Sequence, residues 1–261
     1  MHIIVCIKQV PGTMKVEVDP ETGVLKREGI ANKLNPYDLF ALETALRIKE
    51  AIGAKITVLS MGPRQAASVI REAYWMGVDE GVLLSDRRFG GADVLATSYT
   101  LAQGIQTLAA ADLILCGRQT TDGDTAQVGA ELAQWLKMPN LCNVIEIQAM
   151  EQEAEIKIDL NQIIQTVRIT YPCLLTVEKD IFVPRLPSYR LKKATSERPI
   201  KVLTLDDLSD QDARHYGLTG SATQVERIFP PQAEGEHEIL FGNGRVLAAA
   251  AVERMQLHKL L

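Results

Sequence analysis

Short apolar runs alternate with longer amphipathic stretches through the first half of the chain. They fall at 3–7, 37–50, 55–60, 64–76, 81–85, 93–109, 113–116 and 126–136. Runs of these lengths read as strand then helix, four times over. Two strands joined by a helix cannot form a tight hairpin, so the strands lie parallel and the helices cover both faces of their sheet. The expected fold is therefore doubly wound α/β. Helix ends agree with this. Asn35 and Pro36 supply an N-cap and a first-turn proline, Asp38 adds a carboxylate to that turn, and Gly53 follows the last apolar position. Glu43 and Arg47 form an i,i+4 pair expected on the exposed side.

Beyond Pro139 the periodicity shortens to alternation at 143–148, 155–160 and 163–170, which predicts a small antiparallel meander, and 173–177 returns as a buried strand. Prolines 184, 187 and 199 and a basic cluster (Arg185, Arg190, Lys192, Lys193, Arg198, Lys201) mark an extended excursion, expected as a loop or arm. A turn-rich stretch follows, and 244–261 closes the chain as an Ala/Leu-rich helix. The expected organisation is an α/β body over 1–180 with the antiparallel extension near 141–170, an arm over 181–235, and a C-terminal helix in 236–261 that packs on a partner.

Charge and composition exclude several classes. With 33 acidic against 28 basic residues the net charge is −5, so no nucleic-acid partner is expected, and aromatic residues, only 5% of the chain, are too few to stack bases. The longest apolar stretches fall far short of the roughly 18 residues a spanning helix needs, so no membrane span is expected. The opening 2–8 is too short and wrongly flanked for a signal peptide, and a cytoplasmic location is expected. Cys6, Cys116, Cys142 and Cys173 are scattered without a C-x-x-C pair and read as buried small hydrophobes, and the four histidines form no metal-ligating array.

In a parallel sheet, ligands sit beyond the carboxyl ends of the strands. The loop after the fourth strand runs Cys116-Gly117-Arg118-Gln119-Thr120-Thr121-Asp122-Gly123-Asp124-Thr125-Ala126-Gln127-Val128-Gly129. Its three glycines allow close backbone approach, and a helix start at 125–127 offers unpaired N–H groups to a pyrophosphate. A plain glycine turn capped by Asp or Thr gives the same spacing. Asp122 and Asp124 oppose an anion and must point at ribose hydroxyls, a loop amide or solvent. Gln9-Val10-Pro11-Gly12, Ser60-Met61-Gly62-Pro63 and the glycine-to-helix junction Phe89 to Ser98, with Gly91, Asp93 and Thr97, face the same edge. Neither G-x-G-x-x-G nor a P-loop is present, and no Ser-His-Asp ordering or nucleophile elbow occurs. Chemistry, if present, would belong to a bound cofactor.

These segments together are familiar. Val5 to Pro11, the helix start Asn35-Pro36-Tyr37-Asp38 with Ala41-Leu42-Glu43, Ser60 to Pro63 and above all Cys116 to Gly129 make the chain resemble, along nearly its whole length, the β subunit of electron transfer flavoproteins. The resemblance implies an adenine-nucleotide alpha hydrolase-like fold and a heterodimer with an FAD-binding α subunit. It assigns cofactor contacts to Gln9, Val10, Pro11, Asn35, Tyr37, Asp38, Ser60, Met61, Gly62, Gly91, Asp93 and Thr97. In the last loop it assigns them to Cys116, Gly117, Arg118, Gln119, Thr121, Asp122, Gly123, Asp124, Thr125, Ala126, Gln127, Val128 and Gly129. Conventional members hold AMP in this subunit. Bifurcating members hold a second FAD there, which takes hydride from NADH and sends one electron toward ferredoxin or flavodoxin and the other through the α-subunit FAD to a dehydrogenase. The segment Val18 to Gly29 is similar to a hairpin of the bifurcating members, although an exposed Pro-Glu-Thr-Gly turn reads the same way. Arg118 is nominated for a phosphate or flavin contact, against the alternative of an exposed loop cation.

The basic excursion sits where the family carries a recognition loop for partner dehydrogenases. Arg185, Leu186, Tyr189, Arg190, Lys192 and Lys193 are the expected docking residues, with Tyr189 and Leu186 as the apolar anchor; a solvated charged loop is the alternative. Tyr189 stands where a leucine is the family's commonest anchor. The sequence around 184–190 is nearest to members serving a lactate-type dehydrogenase, with an acyl-CoA dehydrogenase as the alternative.

Overall fold

The computed structural model describes residues 1–12, 17–18, 25–26, 32–226 and 239–260. In chain order the strands are β1 His2–Cys6, β2 Gln9–Pro11, β3 Glu17–Val18, β4 Leu25–Lys26, β5 Asn32–Leu34, β6 Lys55–Met61, β7 Glu80–Leu84, β8 Leu113–Gly117, β9 Asn140–Ala149, β10 Glu153–Asp159, β11 Ile164–Thr170, β12 Cys173–Val177 and β13 Lys201–Leu203. The helices are α1 Pro36–Ile52, α2 Ala67–Met76, α3 Val94–Gln106, α4 Val128–Leu136, α5 Tyr189–Ala194, α6 Gly217–Gly220 and α7 Gly244–Leu257.

The four strands read from the sequence are β1, β6, β7 and β8. They form the centre of one nine-stranded sheet ordered β11-β10-β9-β12-β8-β1-β6-β7-β13. β12 joins beside β8 and β13 beside β7, both parallel. The meander is continuous with this sheet: β9 runs parallel to β12, while β10 and β11 pair antiparallel beyond it. The mostly parallel doubly wound fold is thus present.

Alternation along each central strand sends successive side chains to opposite faces. Ile3 and Val5 pack with Leu42 of α1 and Ile70 of α2, whereas Ile4 and Cys6 pack with Leu101 of α3 and Leu132 of α4. Both faces are covered, so the central strands are mostly apolar. A side chain as completely buried as Leu42 contributes about 1.5–3 kcal/mol. Cys6, Cys116 and Cys173 lie in this core and Cys142 is half-buried.

Two helix-end details differ from the sequence reading. Asn35 caps α1 by position, but its side chain makes no cap bond, because the loop after β8 engages it instead. Glu43 is not on an exposed face. It is only 2% accessible, although its bond from Arg47 Nε at 3.0 Å is present, because the 181–200 segment folds over it. That segment is likewise not a free excursion. It carries the short helix α5, hydrogen-bonds to α1 and α2, and leads into β13 at the sheet edge.

The chain divides into two units, Met1–Gln224 and Val225–Leu261. In the second, Asn243 caps α7 by accepting from Val246 N at 3.1 Å, and Ile239, Phe241 and Leu257 are exposed. Among the described residues no helix is long and apolar enough to cross a membrane.

Candidate functional site: a crevice between strands β1 and β8

β1 and β8 are neighbours in register, Cys6 opposite Cys116. The chain leaves β1 for a helix on one face and leaves β8 for a helix on the other. Their carboxyl ends therefore diverge, and a crevice opens between 7–12 and 117–129, where parallel sheets receive ligands.

Asp38 holds the floor. It lies in the first turn of α1, is 5% exposed, and accepts Lys8 N at 2.7 Å. Burial raises its carboxyl to about 7 against the downward pull of the Asn35 side chain and the Lys8 amide. Gly117 is pressed against it: a Cβ there would stand 2.6 Å from Asp38 Oδ1 and 2.6 Å from the Tyr37 carbonyl carbon. Only glycine fits. Fully buried Asn35 donates to Gln119 O at 2.9 Å and accepts Thr121 N at 3.3 Å, which fixes the start of the loop. Gln119 Nε2 reaches the Tyr37 hydroxyl at 3.3 Å and also bonds Asp124. The Cys116 thiol is pushed up by its hydrogen bond with Cys6 and by burial, so it is an inert core group.

The rest of the loop is built around exposed backbone. Asp124 and Ala126 are left-handed, at φ 53° and 55°, and α4 begins at Val128 rather than at 126. Left-handed residues next to right-handed ones, as Ala126 is to Gln127, are the backbone pattern of anion-binding nests. Among the described residues no acceptor meets the N–H of Thr125, Ala126 or Gln127. Gly129 is buried where a Cβ would stand 2.3 Å from Thr176 Cγ2, which brings the start of α4 close against β12. Of the two acidic residues, Asp122 is offset, since Lys8 Nζ bonds both its carboxylate oxygens at 2.8 Å, and Asp124 is engaged by the Gln119 side-chain amide. Burial is the largest single influence on Asp122 and would raise it, but the Lys8 bond, the Lys8 charge and the Thr120 hydroxyl together outweigh burial and hold the carboxyl below its ordinary value. Arg118 donates to Glu178 Oε1 at 2.9 Å with its side chain 46% exposed, so it stands at the rim with a fixed orientation.

The flanking loops reach the same edge. Val10 is buried, Pro11 is exposed, and Gln9 Nε2 donates to Ser68 Oγ at 2.9 Å. Ser60 is fully buried, yet among the described residues its Oγ has no hydrogen-bond partner, an unusual state for a buried hydroxyl. Met61 and Gly62 follow, with Gly62 N bonded to Leu84 O at 3.0 Å. At the third junction Gly91 is left-handed, at φ 74°. The Asp93 carboxylate caps α3 through Ala96 N at 3.0 Å and tethers Thr223 N at 2.9 Å, while Thr97 is half-buried one turn on. The hairpin between β1 and α1 is represented by β3 and β4, which pair antiparallel as Glu17 with Lys26 and Val18 with Leu25. Residues 19–24 and 27–31 of that segment lie outside the described residues.

On the opposite flank Leu186 and Tyr189 are exposed, as are Arg190, Lys192 and Lys193, while the Arg185 guanidinium is engaged by Glu43 and Glu50. Lys8 and Glu178 are the site residues that sequence reasoning missed. Lys8 lies within the quoted Val5 to Pro11 motif, but its partner is 114 positions away.

A mostly parallel α/β sheet with the loops after β1 and β8 gathered at its carboxyl edge is an architecture in which nucleotides are commonly held. A model of the electron transfer flavoprotein domain matches residues 22–208. The chain is 45% identical over 243 residues to the caffeyl-CoA reductase-Etf complex subunit CarD of Acetobacterium woodii, covering 93% of this chain and 92% of that one. It is 42% identical over 256 residues to electron transfer flavoprotein subunit beta of Thermoanaerobacterium thermosaccharolyticum, covering 98% of each. It is 37% identical over 243 residues to protein FixA of Azorhizobium caulinodans, covering 90% and 86%. The chain belongs to the electron transfer flavoprotein family, as a beta-type subunit.

Proposed function

We propose that this subunit holds FAD in the β1/β8 crevice, pairs with an FAD-binding α subunit, and serves electron bifurcation from NADH. The observation that carries the reading is the cradle itself: N–H groups at Thr125 to Gln127 that meet no acceptor among the described residues, beside an Asp122 whose charge Lys8 offsets. The β3–β4 pairing, in the segment where bifurcating relatives carry a hairpin, supports FAD over AMP. When bound, FAD supplies hydride acceptance from NADH and onward one-electron transfer.

This chain's own residues do the positioning. The N–H groups at 125–127 donate to phosphate, Asn35 and Asp38 fix the loop that carries them, and Arg118 adds a fixed cation at the rim. A single charge matters here because about 59 mV shifts a one-electron equilibrium tenfold. Electrons leave toward ferredoxin or flavodoxin on one branch, and through the α-subunit FAD to a flavin-dependent dehydrogenase on the other. The dehydrogenase is of the lactate or acyl-CoA type, and the similarity to a caffeyl-CoA reductase complex subunit supports the second. Leu186 and Tyr189 form the docking anchor, and the helix in 236–261 packs on the α subunit.

The test is NADH-driven ferredoxin reduction by the assembled complex, expected only when the dehydrogenase substrate is also present. Ferredoxin reduction that ignores the second acceptor, or none at all, rejects bifurcation. Arg118→Ala is expected to lower the flavin retained by this subunit several-fold, on the scale of one charged hydrogen bond, and unchanged retention removes Arg118 from the site.

A further inference from the structure

The segment 181–198 crosses the outer side of α1 and α2 and leaves three apolar side chains in water: Val183 at 84%, Leu186 at 87% and Tyr189 at 71% exposure. Arg185, between them, turns the other way. Its Nε and Nη2 meet the two carboxylate oxygens of Glu43 at 2.8 and 3.1 Å, and its own backbone N–H donates a further bond to Glu43 Oε2 at 3.1 Å. Nη1 reaches Glu50 Oε1 at 2.6 Å. Glu43 also takes Arg47 Nε, and the Arg47 guanidinium lies 4.6 Å over the ring of Phe182.

This is a bidentate ion pair on a carboxylate withdrawn from water, closed by a main-chain bond at the residue that precedes Leu186. Burying a carboxylate is unfavourable unless its bonds are completed, and here they are. A loop that only needed solvation would require no such anchor. A second tether lies three residues on, where Ser188 N donates to Trp75 O at 2.8 Å and Lys192 Nζ sits 4.7 Å over the Trp75 ring. With the backbone fixed on both sides, Leu186 and Tyr189 are presented outward in one arrangement before any partner arrives. Binding then loses less conformational entropy.

We infer that Arg185 is a positioning residue: with Glu43 and Glu50 it clamps the strap to α1 and pre-forms the Leu186–Tyr189 anchor, and it does not itself contact the partner. The inference rests on the reading above that this strap docks the dehydrogenase. The experiment is steady-state titration of the dehydrogenase with assembled heterodimer carrying Arg185→Lys, which keeps the charge and loses the fork, or Glu43→Gln, which keeps the shape and loses the charge. Both are expected to raise the KM for the heterodimer about tenfold, with kcat and flavin content unchanged. The double variant is expected to be no worse than the poorer single, because both act on one contact. An unchanged KM in both singles, while Tyr189→Ala and Leu186→Ala raise it, overturns the inference and leaves the docking reading in place. An unchanged KM in all four overturns both. Loss of flavin or of folding in Arg185→Lys and Glu43→Gln also overturns it, since the network would then hold the molecule together and not the strap.

Discussion

Asp38 shows what one residue decides here. Its carboxyl titrates near 4 in an unfolded chain and is raised to about 7 when buried. Between those values the folded protein binds the extra proton, so stability falls as pH rises from about 4 to about 7 and is level above. At about 1.4 kcal/mol per unit the loss is about 4 kcal/mol. Asp38→Asn is expected to flatten this decline in urea midpoints measured across that range; a slope equal to the wild type's would show that other groups set it. From sequence, Asp38 reads as a first-turn carboxylate and, through the family resemblance, as a cofactor contact, but its burial is not legible there. Its burial depends on Gly117, and the compensation of Asp122 depends on Lys8, pairings separated by many tens of residues that local spacing cannot reveal.

At the scale of elements, the strands and helices were legible because buried parallel strands are apolar on both faces and the helices over them are amphipathic. Boundaries failed where tertiary contacts override local preference. Left-handed Ala126 delays α4 to Val128, and Glu43 is covered by a segment 142 positions downstream. The approach of α4 to β12 is equally non-local. Gly129→Ala drives a methyl into Thr176 Cγ2 and is expected to destabilise by about 1–3 kcal/mol. Thr176→Ser removes that methyl, and the double variant is expected to recover most of the loss in thermal melts. Additive losses would mean that the two positions do not meet.

For the molecule as a whole, the order of strands places the candidate loops at one edge of the sheet, and this is why a chain without any nucleotide motif of fixed spacing still presents a candidate site. The sequence segments that converge there, 5–11, 35–38, 60–62 and 117–129, are scattered along the chain and meet because β1, β6 and β8 are adjacent. What the crevice holds is the claim on which the rest depends. The direct measurement is the cofactor content of the purified heterodimer, released by denaturation and quantified by chromatography. Two FAD per heterodimer is the predicted result, and one FAD with one AMP would contradict it.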